Sequence, residues 1–356
     1  MRVDVPEPRS STALPMVSVI MPVRNEAAFI RRSLGAVLTQ DYPADRLEVL
    51  VADGGSTDDT RAIVADLADG QPVPVRVIDN PAGTAATGLN LAIGQARGAV
   101  VIRVDGHCVV PPHYVSRCVV LLGRHGIDGV GGPVRTIGET PAARAIAAAM
   151  SSRFGVGDSA FRTTRGGQRF VDTVPFPAYT REAIERAGPF DEELVRNQDD
   201  EYNYRLREMG GRILLAGELE STYYGRSTFT RLWRQYFEYG CYKVRVMQKH
   251  PLQMRPRQFV PAMFVLALGA GVLLALMGHS LPLLLVAGSH LTFIAIATLL
   301  HGGRDRPLLL RLPLAFAVLH FAYGTGFLAG LWRFRRHWLT GEPEQPRGSR
   351  PSPSLS

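Results

Sequence analysis

Cysteine is scarce here. Cys108, Cys118 and Cys241 are the only three in 356 residues, and their odd number and lack of metal-ligand spacing argue against a disulfide framework and suit a reducing cytoplasm. An apolar start is also missing. Met1 to Pro15 is polar and rich in proline, so no secretory signal is expected and residues 1–16 read as a disordered leader. The most telling absence is charge. Val260 to Gly278, Leu281 to Leu300 and Leu312 to Trp332 contain no Asp, Glu, Lys or Arg, and each approaches the roughly 20 apolar residues that cross a bilayer core. Very buried core helices would need a large polar shell, which the short flanks do not supply. Residues 259–338 are therefore expected in a membrane, as about three hydrophobic segments, ahead of a Pro- and Ser-rich disordered tail at 339–356.

The charge that is present has a position. The formal net charge is +8, and from Arg226 to Gln258 the basic residues Arg226, Arg231, Arg234, Lys243, Arg245, Lys249, Arg255 and Arg257 face only Glu238. A basic band beside apolar segments is the positive-inside pattern, so a membrane rather than nucleic acid is the expected partner, with the preceding residues on the cytoplasmic face of the inner membrane. Such side chains also attract anionic headgroups. Within 226–258, Phe229 to Val246 is amphipathic and aromatic, as suits an interfacial helix. In a multi-pass arrangement, three crossings would leave Arg333, Arg335 and Arg336 outside, against the same rule, so one segment is expected to be re-entrant or interfacial.

Residues 17–225 alternate strand and helix patterns. Val17 to Met21, Leu47 to Ala52, Val75 to Ile78 and Ala99 to Val104 read as strands, Pro22 ending the first. Arg24 to Leu38, Thr57 to Leu67 and Ala85 to Ala96 read as helices. This predicts an α/β fold with a mostly parallel sheet that binds ligands beyond the carboxyl ends of its strands. Further on, Gly129 to Val134 and Arg212 to Ala216 read as strands, Pro141 to Ser152, Thr180 to Ala187 and Asp199 to Met209 as helices, and Gly155 to Phe170 as a loop.

Polar residues stand at the strand ends. Asp53, in Ala-Asp-Gly-Gly-Ser-Thr-Asp-Asp-Thr, offers a carboxylate to a base or ribose, although Asp-Gly is also common in plain turns; Asp79 follows the third strand. Asp105 and His107, two positions apart, can point at one cation bridging a diphosphate, and Mn²⁺ or Mg²⁺ suits such a site. In Asn197-Gln198-Asp199-Asp200-Glu201 three successive carboxylates exceed what capping needs, and one of them is a candidate general base.

Together these motifs resemble the inverting glycosyltransferases of family 2, which have the GT-A fold. Val17 to Glu26, with Pro22, Arg24 and Glu26, is similar to the family's opening strand and nucleotide loop, and Asp53 to Asp58 to the motif whose aspartate contacts uracil or ribose. Asn80 to Asn90, with Gly83 and Asn90, resembles its glycine and asparagine segment. Asp105-Gly106-His107 stands where the metal-binding Asp-x-Asp occurs, histidine replacing the second aspartate. Phe190-Asp191-Glu192 and Gln198-Asp199 are similar to the acceptor-side segment and imply Asp199 as the base, with Asp200 beside it. Asp105 to Cys108 and Asn197 to Leu206 resemble the ExoA-type succinoglycan glucosyltransferases within the family, as does Leu232 to Gly240, with Trp233, Gln235 and Tyr239, preceded by Arg231 and followed by apolar segments. The last of these occupies the place of the Gln-x-x-Arg-Trp motif of processive synthases without reproducing it. The resemblance implies metal-dependent, single-sugar transfer of glucose from a UDP-linked nucleotide sugar in exopolysaccharide or envelope glycan synthesis, and the membrane placement implies a lipid-linked saccharide acceptor. A processive synthase or a noncatalytic membrane scaffold is the alternative.

Overall fold

The computed structural model describes residues 14–124, 126–164, 166–225, 228–303 and 305–339. Most of the expected leader, nearly all of the expected tail and Arg226 lie outside them.

Four parallel strands, β1 (Val17–Val23), β2 (Leu47–Asp53), β3 (Val75–Asp79) and β4 (Val100–Arg103), make one half of an eight-stranded sheet. Helices α1 (Ile30–Leu38), α2 (Thr60–Ala68) and α3 (Ala85–Gln95) connect them, as the sequence pattern predicts. β1 lies between β2 and β4, so the chain leaves it in opposite directions and a crevice opens at the carboxyl ends of β1 and β4.

The remaining strands are short. After β5 (Cys108–Val109) and α4 (Tyr114–Leu122) come β6 (Gly129–Gly131), β7 (Val134–Ile137), α5 (Pro141–Met150), α6 (Arg153–Val156), α7 (Ala160–Thr163), β8 (Gln168–Val171) and β9 (Ala178–Thr180). Next are α8 (Arg181–Ala187), α9 (Gln198–Glu208), β10 (Ile213–Ala216) and β11 (Ser221–Tyr224). β9, β6, β10 and β8 extend the sheet, antiparallel except for the β6–β10 pair, while β5, β11 and β7 form a second, three-stranded sheet. The fold is α/β with a mixed, mostly parallel sheet.

Three local expectations are corrected. Pro22 does not end β1: Ile20 accepts from Val104 on the β4 side, and Pro22 faces that same side beyond the last β4 pair, where no amide is needed. The helix expected from Arg24 begins at Ile30, because Asn25 is left-handed (φ 54°) and the next amides are taken by side chains of another loop. The segment expected as a loop from Gly155 to Phe170 contains α7 and the start of β8.

Four long helices follow: α10 (Phe229–Lys249), α11 (Val260–Leu276), α12 (Leu281–Gly302) and α13 (Arg306–Arg333). α12 and α13 are long and apolar enough to cross a membrane, and α11 is a shorter apolar helix of 17 residues. α10 packs along α13 backbone to backbone. A Cβ at Gly240 would lie 2.2 Å from the Tyr323 carbonyl oxygen, and one at Gly326 2.1 Å from that of Phe237. α5 covers the other end of α13, Ile146, Ala149 and Met150 meeting Leu312, Phe316 and Leu319 in one core.

Candidate active site

The crevice opens into one cleft of about 1480 Å³, larger than the roughly 300–1,000 Å³ usual for a single small ligand. Pro22, Arg24, Glu26, Gly83, Asp105, His107, Asp199, Asp200, Arg231, Gln235 and Tyr239 line it; Asp53, Asp79, Asn90 and Trp233 do not.

One wall is knitted from two loops. The amides of Asn25, Glu26 and Ala27 donate to Ser56 Oγ, Thr60 Oγ1 and Asp58 Oδ2 at 2.9, 2.8 and 3.1 Å. Burial raises the Asp58 carboxyl, but the bonds from Thr60 and Ala27 outweigh it and hold it below the usual range. Asp53 is buried and accepts from the Ser56 amide and hydroxyl and from Arg61, which also reaches Asp79 at 2.7 Å. Arg61 thus ties two strand ends together, a role that the sequence reading missed. Gly83 has φ +67°, the left-handed region that favours glycine, and it lies close to the Arg24 guanidinium and the Gly54 carbonyl. Asn90 clasps Phe190, donating to its carbonyl and accepting from its amide, and so joins α3 to the opposite wall.

At the centre stands Arg103, which the sequence reading did not single out. Its Nε and Nη2 grip Asp105 at 2.8 and 3.1 Å, and Nη1 lies 3.9 Å from Asp199 Oδ2. Burial would lower its pKa, but Asp105 and then Asp199 outweigh that and raise it, so the guanidinium stays charged. A nearly buried arginine at the end of an apolar strand was itself a signal, since such a charge demands a partner.

His107 Nδ1 lies 2.8 Å from Glu26 Oε1. The carboxylate can only accept, so Nδ1 donates, and in the neutral imidazole Nε2 is then the nitrogen left to bind a metal. Gly106 makes the approach possible: a Cβ there would come within 2.9 Å of Glu26 Cγ. Asp105 and His107 are thus an oxygen and a nitrogen donor two residues apart on the cleft. Among the described residues no cluster of three or more His, Cys, Asp or Glu could hold a metal, so further ligands would come from a bound diphosphate and water, the usual arrangement for Mg²⁺ or Mn²⁺. Cys108, next in sequence, is buried with its thiol pushed up, and all three cysteines are free.

On the other wall the three carboxylates part company. Glu201 is buried between Arg205 and His250; burial raises its pKa, but their hydrogen bonds outweigh this and lower it. Asp200 pairs with Lys243 of α10. Asp199, 39% exposed, faces the cleft and Arg103. Its backbone is set from α10: Asn197, left-handed at φ 63°, donates to the Tyr239 carbonyl at 3.0 Å, and Arg196 pairs with Glu238 at 2.8 Å. Lys249 reaches Asp191 and Glu193, and Arg245 reaches Glu193, so these bases meet carboxylates of the same chain. The Lys249 bond in particular holds Glu193 at about 2. Gln235 donates to the Tyr239 hydroxyl at 3.0 Å, whereas Trp233 is exposed on the far face of α10. From here the cleft continues to Phe264, His290, Phe293 and Tyr323 on the apolar helices.

Comparison with known proteins shows the family. Residues 18–188 match the family model described as Glycosyl transferase family 2. The chain is 31% identical over 322 residues to the succinoglycan biosynthesis protein ExoA of Rhizobium meliloti, covering 89% of this chain and 96% of that one. It is 26% identical over 240 residues to the dolichyl N-acetyl-alpha-D-glucosaminyl phosphate 3-beta-D-2,3-diacetamido-2,3-dideoxy-beta-D-glucuronosyltransferase of Methanococcus voltae, covering 65% and 74%. Among solved structures, the mannosyltransferase PcManGT from Pyrobaculum calidifontis, in complex with GDP-Man and Mn²⁺, has the same fold with a TM-score of 0.60 at 20% identity, over 94% of this chain and 91% of that one.

Proposed function

The chain belongs to glycosyltransferase family 2, an enzyme of polysaccharide or glycan synthesis with a GT-A fold, and on that premise we propose that it is membrane-bound and inverting, transferring glucose from a UDP-linked donor to a lipid-linked saccharide. The observation that carries this reading is the single cleft. It brings the Asp105 and His107 pair and the Asp199 carboxylate together and runs on to the apolar helices.

Asp105 and His107 would hold Mn²⁺ or Mg²⁺, which when bound supplies positive charge against the leaving diphosphate. The PcManGT complex, with its nucleotide sugar and Mn²⁺, supports dependence on a divalent metal. Asp199 takes the proton of the acceptor hydroxyl as its oxygen bonds to the anomeric carbon, while the bond to the diphosphate breaks on the opposite face. An α-linked donor thus yields a β-linked product. Arg103 keeps the two carboxylates in fixed relation, and the loop amides around Glu26 hold the nucleotide wall still. Residues 17–225 form the catalytic part and 226–258 its seat at the membrane, and 259–338 contain the anchor. The catalytic part faces the cytoplasm, at the inner membrane. The exposed leucines of α11 and α12 support the anchor, and the dolichyl phosphate-linked substrate in the name of the M. voltae relative supports a lipid-borne acceptor. Asp199→Asn is the test: transfer to lipid-linked acceptors should fall by about 10²–10⁴-fold with nucleotide-sugar affinity unchanged. Transfer at the wild-type rate would refute the assignment, and a parallel screen of UDP- and GDP-sugars identifies the donor.

A further inference from the structure

Resting on the membrane anchoring just proposed, we propose that only the α11–α12 hairpin enters the bilayer. α13 lies along the catalytic domain at the membrane surface, the chain crosses twice, and both ends of α13 stay on the side of the active site.

α13 is the longest of the apolar helices, yet half of its apolar stretch is buried in the protein and its neighbours exclude it from a bilayer. At its start Asp305, which caps the helix through the Leu308 amide, lies 3.6 Å from Arg144 of α5. At its end Gln248 of α10 donates to the Phe334 carbonyl at 2.9 Å, and the Arg333 guanidinium stands 5.5 Å over the Tyr242 ring. In between, Gly240 and Cys241 of α10 meet Tyr323 and Gly330 of α13 in backbone contact. A bilayer that held α13 would hold α10 too. α10 carries Arg231, Arg234, Glu238, Lys243, Arg245 and Lys249, and the last three are paired with carboxylates of the catalytic domain. Charges at bilayer depth are expensive, so the helix that cannot leave α10 stays out with it.

The hairpin is the reverse case. Its arms are antiparallel, Phe264 stacking on His290 at 4.1 Å and Gly271 lying against Leu283. No Asp, Glu, Lys or Arg occurs from Val260 to Gly303. α11, with 17 residues, reaches about 25 Å, the short end of what crosses a bilayer. Toward the turn none of the other described residues covers it: Leu276 is 81% and Leu281 65% exposed. Basic residues flank both of its ends, Arg255 and Arg257 before α11 and Arg306 and Arg311 after α12. With both ends on one side, these residues and Arg333, Arg335 and Arg336 all face the cytoplasm, which removes the conflict that three crossings create with the positive-inside rule. The occupant of the exposed hairpin face is therefore lipid.

Single cysteines report the topology, because the native thiols are buried and give a low blank. With a membrane-impermeant maleimide, Ser280→Cys should label in intact cells (spheroplasts where an outer membrane intervenes), and Trp338→Cys only after permeabilisation. Labelling of Trp338→Cys without permeabilisation would mean that α13 crosses. A Ser280→Cys that reacts only after permeabilisation, or stays unreactive because the turn is re-entrant or seated on a second copy, overturns the crossing hairpin. Alkaline carbonate extraction of the wild type separates the two levels: release from the membrane sinks the anchoring itself, whereas retention with the wrong labelling pattern sinks only the topology.

Discussion

On one wall of the cleft the loops that follow β1 and β2, two neighbouring strands, satisfy each other's polar groups; on the wall that carries Asp199, the partners come from α10, a helix outside the sheet. Ser56 bonds to Asp53 three residues away, and Thr60 to Asp58 at two. Lys243, by contrast, reaches back 43 residues to Asp200, and Asn197 reaches 42 to Tyr239. The first wall is thus a local construction that folds with its own strands. The second is a docking arrangement, and the position of Asp199 is only as firm as the seating of α10. Arg103 is where the two meet, held by one wall and facing the other.

Cutting that link has the largest expected effect. Arg103→Gln should lower kcat on the order of 10²-fold, with Arg103→Lys intermediate because it keeps the charge and loses the fork; steady-state transfer kinetics decide this, and a wild-type rate would show that the walls act independently. Next comes the positioning of His107: Glu26→Ala should weaken Mn²⁺ binding in the presence of UDP by roughly 10-fold, read by electron paramagnetic resonance. The comparison itself is sharpened by a pair of variants. Lys243→Met leaves Asp200 without its partner and should cost about 2 kcal/mol of thermal stability, whereas Ser56→Ala, in the local wall, should cost about 1 kcal/mol; equal losses would erase the distinction. The smallest effect is that of acid. Glu193 is held at about 2, below its ordinary 4.5, so its contribution to docking is complete above pH 4.5 and disappears as pH falls toward 2. The difference in Tm between wild type and Glu193→Gln should shrink across that window, and only slightly in absolute terms because Glu193 is half exposed.

The same contrast governs what the sequence disclosed. β1 to β4 and their helices were readable because an apolar run or a 3.6-residue period is written within each segment. The start of α1 was not, since the groups that claim the Asn25 to Ala27 amides lie about thirty residues away. Asp105, His107 and Asp199 announced themselves as polar residues at strand and helix ends, and the structure puts all three on one cleft. Asp53, Asp79 and Asn90 looked equivalent but are turned to Arg61 and Phe190, and only three-dimensional proximity separates the two groups. β8, β9 and the small β5–β11–β7 sheet had no periodicity to detect, at two to four residues each. The basic band was visible, but not that its Lys243, Arg245 and Lys249 are committed to carboxylates of the chain itself.

The glycine contacts between α10 and α13 also bear on how the protein is made. Catalytic strands, Asp199 and α10 all emerge from the ribosome before α13, yet α13 fills the seam on α10, covers the inner face of α5, and through His320 donates to the Phe154 carbonyl in the cleft wall. A nascent chain stopped after the hairpin would hold every residue of the chemistry and lack the brace that fixes the site. With the membrane anchor and lipid-linked acceptor proposed above, activity is expected late in translation, after the anchor has been inserted, so that sugar transfer begins only where such an acceptor is within reach.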